Sequence, residues 1–277
     1  MSGHELSASD LRVALVQGDT VWHDPEANRR MYGELMAPLA GQADLIVLPE
    51  TFTSGFSNEA IHRAEGMDGP TVAWLREQAQ ALGAAVTGSV QIRDEAVEAG
   101  KVFNRLLWAT PDGGLAYYDK RHLFRMAREH ERYAAGRDRL TMEWKGWRIC
   151  PLVCYDLRFP VFIRNRFDRE AAERFDYDLL VFVANWPAAR RHAWRTLLRA
   201  RAIENLACVA AVNRAGRDGN GLDYAGDSVA LDALGEVQVE CDARPQVVQT
   251  VFSAEALRSH RERFPAQLDA DRFELLG

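Results

Sequence analysis

Apolar residues in this chain gather into short unbroken runs, separated by stretches where they return every three or four positions. The runs at residues 11–17, 44–49, 85–92, 102–109, 147–153, 179–184 and 207–213 are four to eight residues long and rich in Val, Leu and Ile. Runs of that length predict strands, those without polar alternation being buried on both faces. Residues 115–119 follow the tight turn Thr110-Pro111-Asp112-Gly113-Gly114 and read as a hairpin partner of 102–109. Three further short strands are expected at 228–232, 236–240 and 247–252. Helical spacing marks 25–40, 190–205 and 255–263. A fourth helix runs from the Gly69-Pro70 opening to Leu82, with Val72, Leu75, Ala79 and Leu82 on one face. Residues 217–221, Arg-Asp-Gly-Asn-Gly, read as a mobile loop. Strands and helices interleave along the whole length, so the class is α/β, and several architectures of that class fit the pattern equally.

Length and composition narrow the picture. A chain of 277 residues, 47% hydrophobic, has ample material for one large core, and it carries no low-complexity linker or short-period repeat. One domain over residues 1–277 is the simplest account. A net charge of −6, with Lys and Arg dispersed, gives no footprint for nucleic acid. No apolar run is long enough to span a bilayer. The opening residues 1–10 are polar and lack the basic start and apolar middle of a secretion signal. Four cysteines in a chain this long do not make a disulfide framework, which suits a reducing cytoplasm.

Candidate chemistry begins where the apolar run 147–153 stops. Cys154 follows it directly, then the polar turn Tyr155-Asp156-Leu157-Arg158 and a proline, Pro160, able to open a helix. A thiol at a strand tip facing a helix N-terminus sits where a thiolate is most readily formed. The competing reading is inert packing, the usual fate of a buried cysteine, and it suits Cys150, Cys208 and Cys241. No second Cys or His pair completes a zinc site around Cys150 and Cys154, so no metal is expected. Glu50 follows the run 44–49 and is either a working carboxylate at a strand end or a loop cap. Lys120, after 115–119, is either a site cation or part of a solvated face. Spacing alone leaves Glu129 and Glu131 as surface residues, and His122 and His130 as hydrogen-bonding scaffold.

Taken together, these positions carry a resemblance. Leu48-Pro49-Glu50, Tyr118-Asp119-Lys120-Arg121-His122-Leu123-Phe124 and Cys154-Tyr155-Asp156-Leu157-Arg158-Phe159-Pro160 occur in the order of the signature blocks of the nitrilase, or carbon–nitrogen hydrolase, superfamily. The chain resembles that superfamily from Val13 to Phe252, with further matches at Ala200-Arg201-Ala202-Ile203-Glu204-Asn205 and Asn213-Arg214. Glu129 stands before Gly136 at the spacing of the family's second glutamate, so the resemblance assigns that role to Glu129 and not to Glu131. The stretch between Phe124 and Glu129 is shortened here to Arg125-Met126-Ala127-Arg128. Within the superfamily the chain is most similar to the omega-amidase branch, through Lys120-Arg121-His122-Leu123-Phe124, Ala184-Asn185-Trp186-Pro187 and residues 212–220.

The resemblance implies a four-layer α-β-β-α sandwich, a homodimer joined through helices near the cysteine turn, and no cofactor. It implies a cysteine amidase that cleaves the terminal amide of small 2-oxo dicarboxylate monoamides through a thioester. Cys154 is then the nucleophile and Glu50 the proton carrier. Lys120 and the Tyr155 backbone N–H hold the oxyanion, and Glu129 orients water. A planar guanidinium suits the substrate's distal carboxylate, and Arg190 and Arg191 are the candidates. Phe52 and Trp186 are expected as apolar walls. A deaminated-glutathione amidase or another nitrilase-branch amidase is the nearest alternative. A catalytically silent interaction module is the alternative from a different class.

Overall fold

The computed structural model describes residues 9–95, 101–168 and 174–275; most of the polar opening, residues 1–8, lies outside the described residues. The chain opens with β1 (Leu11–Gln17), α1 (Pro25–Met36), β2 (Leu45–Val47) and α2 (Pro70–Leu82). There follow β3 (Ala85–Arg93), β4 (Val102–Ala109), β5 (Leu115–Asp119), β6 (Tyr133–Ala134) and β7 (Met142–Trp144). Next are β8 (Trp147–Val153), a 3-10 turn (Cys154–Arg158), α3 (Pro160–Ile163), β9 (Phe167–Asp168), β10 (Arg174–Phe175), β11 (Leu179–Ala184) and α4 (Arg191–Asn205). The last elements are β12 (Cys208–Asn213), β13 (Ala215–Arg217), β14 (Asp223–Ala225), β15 (Val229–Leu231), β16 (Val237–Glu240), β17 (Gln246–Phe252) and α5 (Ala254–Arg263).

Two sheets result. One runs β17-β1-β2-β3-β4-β5, with β6 joined to β4; the other runs β16-β15-β12-β11-β8-β7. β1, β2 and β3 are mutually parallel, as are β8, β11 and β12. Period-2 alternation explains how the first sheet serves two cores. Leu11, Val13 and Leu15 of β1 join the cluster that contains Ile149, Leu152 and Val181 of the other sheet, whereas Ala14 and Val16 join Tyr32, Met36, Val72, Leu75 and Ala79 under α1 and α2. Trp194, Leu198 and Ala202 of α4 close the far side of the second sheet. The architecture is therefore the four-layer α-β-β-α sandwich.

Departures from the sequence reading have local causes. The helix expected over 25–40 ends at Met36, because Pro38 cannot donate and the chain tightens into a 3-10 turn at Ala37–Leu39. The stretch expected to be a mobile loop is the tip of a hairpin. Asp218 accepts hydrogen bonds from Asn220 N (2.9 Å), Leu222 N (2.9 Å) and Tyr224 Oη (3.0 Å), which ties β13 to β14. No helix among the described residues is long and apolar enough to cross a membrane.

Parallel strands end together, so the residues after β8 and β11 meet at one edge of their sheet, facing Glu50, three residues past β2, from the other. α2 lies in the outer layer, on the opposite face of the first sheet. Leu75→Ala should therefore lower unfolding free energy by about 2–5 kcal/mol in denaturant titration while leaving kcat unchanged; a loss below about 1 kcal/mol would contradict the layer assignment.

Candidate active site

Glu50, Lys120, Glu129 and Cys154 converge between the two sheets. Lys120 Nζ donates to Glu50 Oε1 at 2.9 Å and to both Glu129 oxygens at 3.0 Å. All three side chains are buried. Asn104 lies beside Lys120 on β4, and its Nδ2 donates to Glu50 Oε1 (2.8 Å) and Glu129 Oε1 (3.4 Å). The second Glu50 oxygen accepts the backbone N–H of Asn185 (2.8 Å), just past β11. Phe124 N donates to Glu129 Oε2 at 2.6 Å. Glu131 lies at the surface on Arg128, so it is Glu129 that enters the cluster.

The strand-end turns are held in unusual conformations. Cys154 has φ +46° and Thr51, next to Glu50, φ +41°. Both lie in the left-handed region that residues with a Cβ seldom occupy, a form of strain stored at working sites. Asn185 Nδ2 supports the second turn by bonding Glu50 O (2.6 Å) and Thr51 Oγ1 (3.0 Å). Gly136 is required for contact. Its N–H bonds Lys120 O at 3.0 Å, and a Cβ there would stand 2.0 Å from Asp119 O.

Charge in this cluster departs from the sequence expectation of a ready thiolate. Burial and the Glu50 carboxylate push the Cys154 thiol well up, and Lys120 only partly opposes them. The one-turn 3-10 segment that Cys154 opens does not reverse this. Burial alone would push Lys120 down, but Glu129, Glu50 and Cys154 outweigh it and hold the ammonium charged. Burial raises Glu129 despite Lys120. The cluster thus holds a charged lysine and a protonated thiol, whose Sγ lies 3.9 Å from Asn185 O.

A cavity of about 80 Å³ opens onto Cys154, Lys120 and Glu50, walled by Phe56, Phe124, Tyr155, Trp186 and Tyr224. Arg158 and Arg190 also line it, with guanidinium carbons 4.9 Å from the Trp186 ring centre and 5.2 Å from that of Phe124. Two expected residues lie elsewhere. Arg191 forms a bidentate pair with Asp227 (Nε–Oδ2 2.9 Å, Nη2–Oδ1 2.6 Å), because one residue along a helix turns the side chain by about 100° away from the Arg190 direction. Phe52 is fully buried against Tyr32 and Trp74, and Phe56 takes the wall position. Sequence reasoning missed Asn104, Arg158 and Tyr224 as site residues. Only Arg158 had a signal, as the last residue of the cysteine turn.

A family model of carbon–nitrogen hydrolases matches residues 12–262. The chain belongs to the carbon–nitrogen hydrolase family. It is 48% identical over 271 residues to a Yersinia enterocolitica protein named omega-amidase YafV, covering 97% of this chain and 100% of that one. It is 30% identical to a 2-oxoglutaramate amidase of Bacillus subtilis, with 91% and 95% covered. A crystal structure of a CN-hydrolase superfamily protein from Xanthomonas campestris, carrying an arsenic adduct in its active site, superposes with a TM-score of 0.93 at 69% identity over 96% of this chain and 99% of that one. The chain is thus an enzyme of this hydrolase family.

All four cysteines are free and buried. Burial pushes Cys150, Cys208 and Cys241 up to about 12; Cys154 alone of the four opens on the cavity. Iodoacetamide near neutral pH should place one carbamidomethyl group per chain, on Cys154. In Glu50→Gln the internal proton acceptor is gone. The thiol proton must then go to solvent, against burial, which remains as the largest cause of the upward shift. Alkylation should slow at least about tenfold and then rise with pH through the alkaline range. Equal labelling of several cysteines, or an unchanged rate in Glu50→Gln, would contradict the geometry.

Proposed function

We propose that this enzyme hydrolyses the terminal amide of small 2-oxo dicarboxylate monoamides, such as 2-oxoglutaramate and 2-oxosuccinamate, through a thioester on Cys154. The observation that carries the reading is the buried Glu50–Lys120–Glu129 cluster beside Cys154, in a small cavity with two arginines in its wall. The names borne by the Yersinia and Bacillus relatives support it.

The chemistry runs as follows. Glu50 takes the Cys154 proton as sulfur attacks the amide carbon, so the C–S bond forms and the carbonyl electron pair becomes an oxyanion. Lys120 Nζ and the Tyr155 backbone N–H stabilise that oxyanion; losing one such donor commonly costs on the order of 100- to 1,000-fold. Collapse breaks the C–N bond, and Glu50 returns its proton to the departing nitrogen, which leaves as ammonia. Glu50 then takes a proton from water oriented by Glu129, hydroxide adds to the thioester, and the acid departs as Cys154 regains its proton.

Proton transfer from Cys154 to Glu50 leaves the net charge of the buried cluster unchanged, whereas losing that proton to solvent would add a buried negative charge. This is why a site with an upward-shifted thiol can still deliver a nucleophile. In this reading Arg158 and Arg190, both in the cavity wall, bind the distal carboxylate through planar, charge-assisted hydrogen bonds. The proposal includes a homodimer formed through the helices beside the cysteine turn, where Val161 and Ile203 are exposed. A reducing cytoplasm suits four free thiols.

An ammonia-release assay over a panel of amides should give the highest kcat/KM for the 2-oxo dicarboxylate monoamides. Arg158→Ala and Arg190→Ala should each raise KM for these at least about tenfold and leave neutral amides nearly unaffected. Equal effects on acidic and neutral amides would reject the carboxylate assignment, and a better rate on neutral amides would reject the substrate class.

A further inference from the structure

The two donors assigned to the oxyanion come from separate segments: Lys120 just past β5, and the Tyr155 N–H in the turn after β8. One side chain lies between those segments. Asp156 is fully buried, and its two oxygens are divided between neighbours. Oδ1 accepts His122 N at 3.0 Å and lies 2.7 Å from His122 Nδ1. Oδ2 accepts Tyr118 Oη at 2.8 Å and Val153 N at 3.0 Å. Tyr118 and His122 flank Lys120 on one strand end, and Val153 precedes Cys154 on the other. The His122 ring is fixed a second time by stacking on Phe159, with ring centres 3.7 Å apart and planes 6° from parallel. Tyr118 Oη in turn accepts Arg121 N at 3.1 Å, which secures the backbone just after the lysine.

We propose that Asp156 is a positioning residue for the amidase reaction, a carboxylate clamp that fixes the Lys120 segment relative to the cysteine turn and so aligns the two halves of the oxyanion hole. Asp156 touches no reacting atom. It joins the segments through four contacts and holds the turn in which Cys154 adopts its left-handed backbone. A carboxylate suits the place because two of its neighbours are backbone N–H groups, one on each side, that can only donate. An amide of the same shape cannot replace it. In either orientation the NH₂ of an asparagine would face Val153 N–H or His122 N–H, donor against donor, and one side of the clamp would open. A displacement of about 1 Å at a catalytic group can cost on the order of 100-fold.

The inference rests on the mechanism proposed above and is tested with Asp156→Asn and Tyr118→Phe, on whichever amide of the panel the wild type hydrolyses. Wild-type turnover tests the proposed function, whereas the ratio of variant to wild type tests the clamp. Asp156→Asn should lower kcat on the order of 100-fold with KM within about threefold, because Arg158 and Arg190 make no contact with Asp156 and rest on the rings of Trp186 and Phe124. Iodoacetamide displacement at carbon forms no oxyanion and needs only Cys154 and Glu50. Its rate at Cys154 should therefore stay within about threefold of wild type. Tyr118→Phe removes one of the four contacts and should show the same pattern with a smaller loss of kcat. Parallel loss of turnover and alkylation in both variants, or full kcat in Asp156→Asn, would overturn the proposal.

Discussion

One ammonium buried between two carboxylates organises this molecule. Lys120 has left water, and a lone charge in a protein interior is costly enough that it would lose its proton. Glu50 and Glu129, at 2.9 and 3.0 Å, keep it charged. The carboxylates depend on the lysine in turn and on neutral donors: Asn104, the backbone N–H of Asn185 and that of Phe124. Removing the lysine leaves two buried carboxylates without a counter-charge, which is more damaging than never having built the group. The four-layer sandwich supplies the dry setting in which these contacts matter.

The same charge balance sets the chemistry. A cluster already rich in negative charge does not hold a standing thiolate, so the cysteine rests protonated, and in the proposed mechanism it is activated only as its proton passes to a neighbour. Strained turns at Cys154 and Thr51 aim sulfur and carboxylate at one point. Strand ends supply the rigid base for those turns, and the polar side chains of Asn104, Asn185 and Asp156 fix the distances. The proposed reading gives specificity to a different layer of the cavity, where aromatic rings carry Arg158 and Arg190 on their faces.

Much of this was legible in the sequence because buried strands leave a plain signal. Val102–Ala109, Leu115–Asp119, Trp147–Val153 and Leu179–Ala184 coincide with runs bounded by turn residues. Glu50, Lys120 and Cys154 were visible as polar residues at the ends of such runs, and three ordered motifs linked them. Glu129 was legible only through resemblance, since it sits on a one-turn 3-10 segment that has no periodic signature. Asn104 was hidden because it lies inside an apolar strand. Arg191 and Phe52 were misplaced for a shared reason: which neighbouring side chain enters a cavity depends on the phase of a short turn, and composition does not encode phase. The direction of the Cys154 shift depends on the sum of charges assembled from distant segments, and no local pattern carries that sum.

The central claim is a covalent step at one sulfur inside this charged cluster. Acid quenching during steady-state turnover of an oxo-amide, followed by peptide mapping by mass spectrometry, tests it most directly. The account predicts an acyl adduct on the peptide containing Cys154, with the mass of the substrate less ammonia and absent in Cys154→Ala. Active turnover with that peptide unmodified throughout, or an adduct on any other residue, would contradict it.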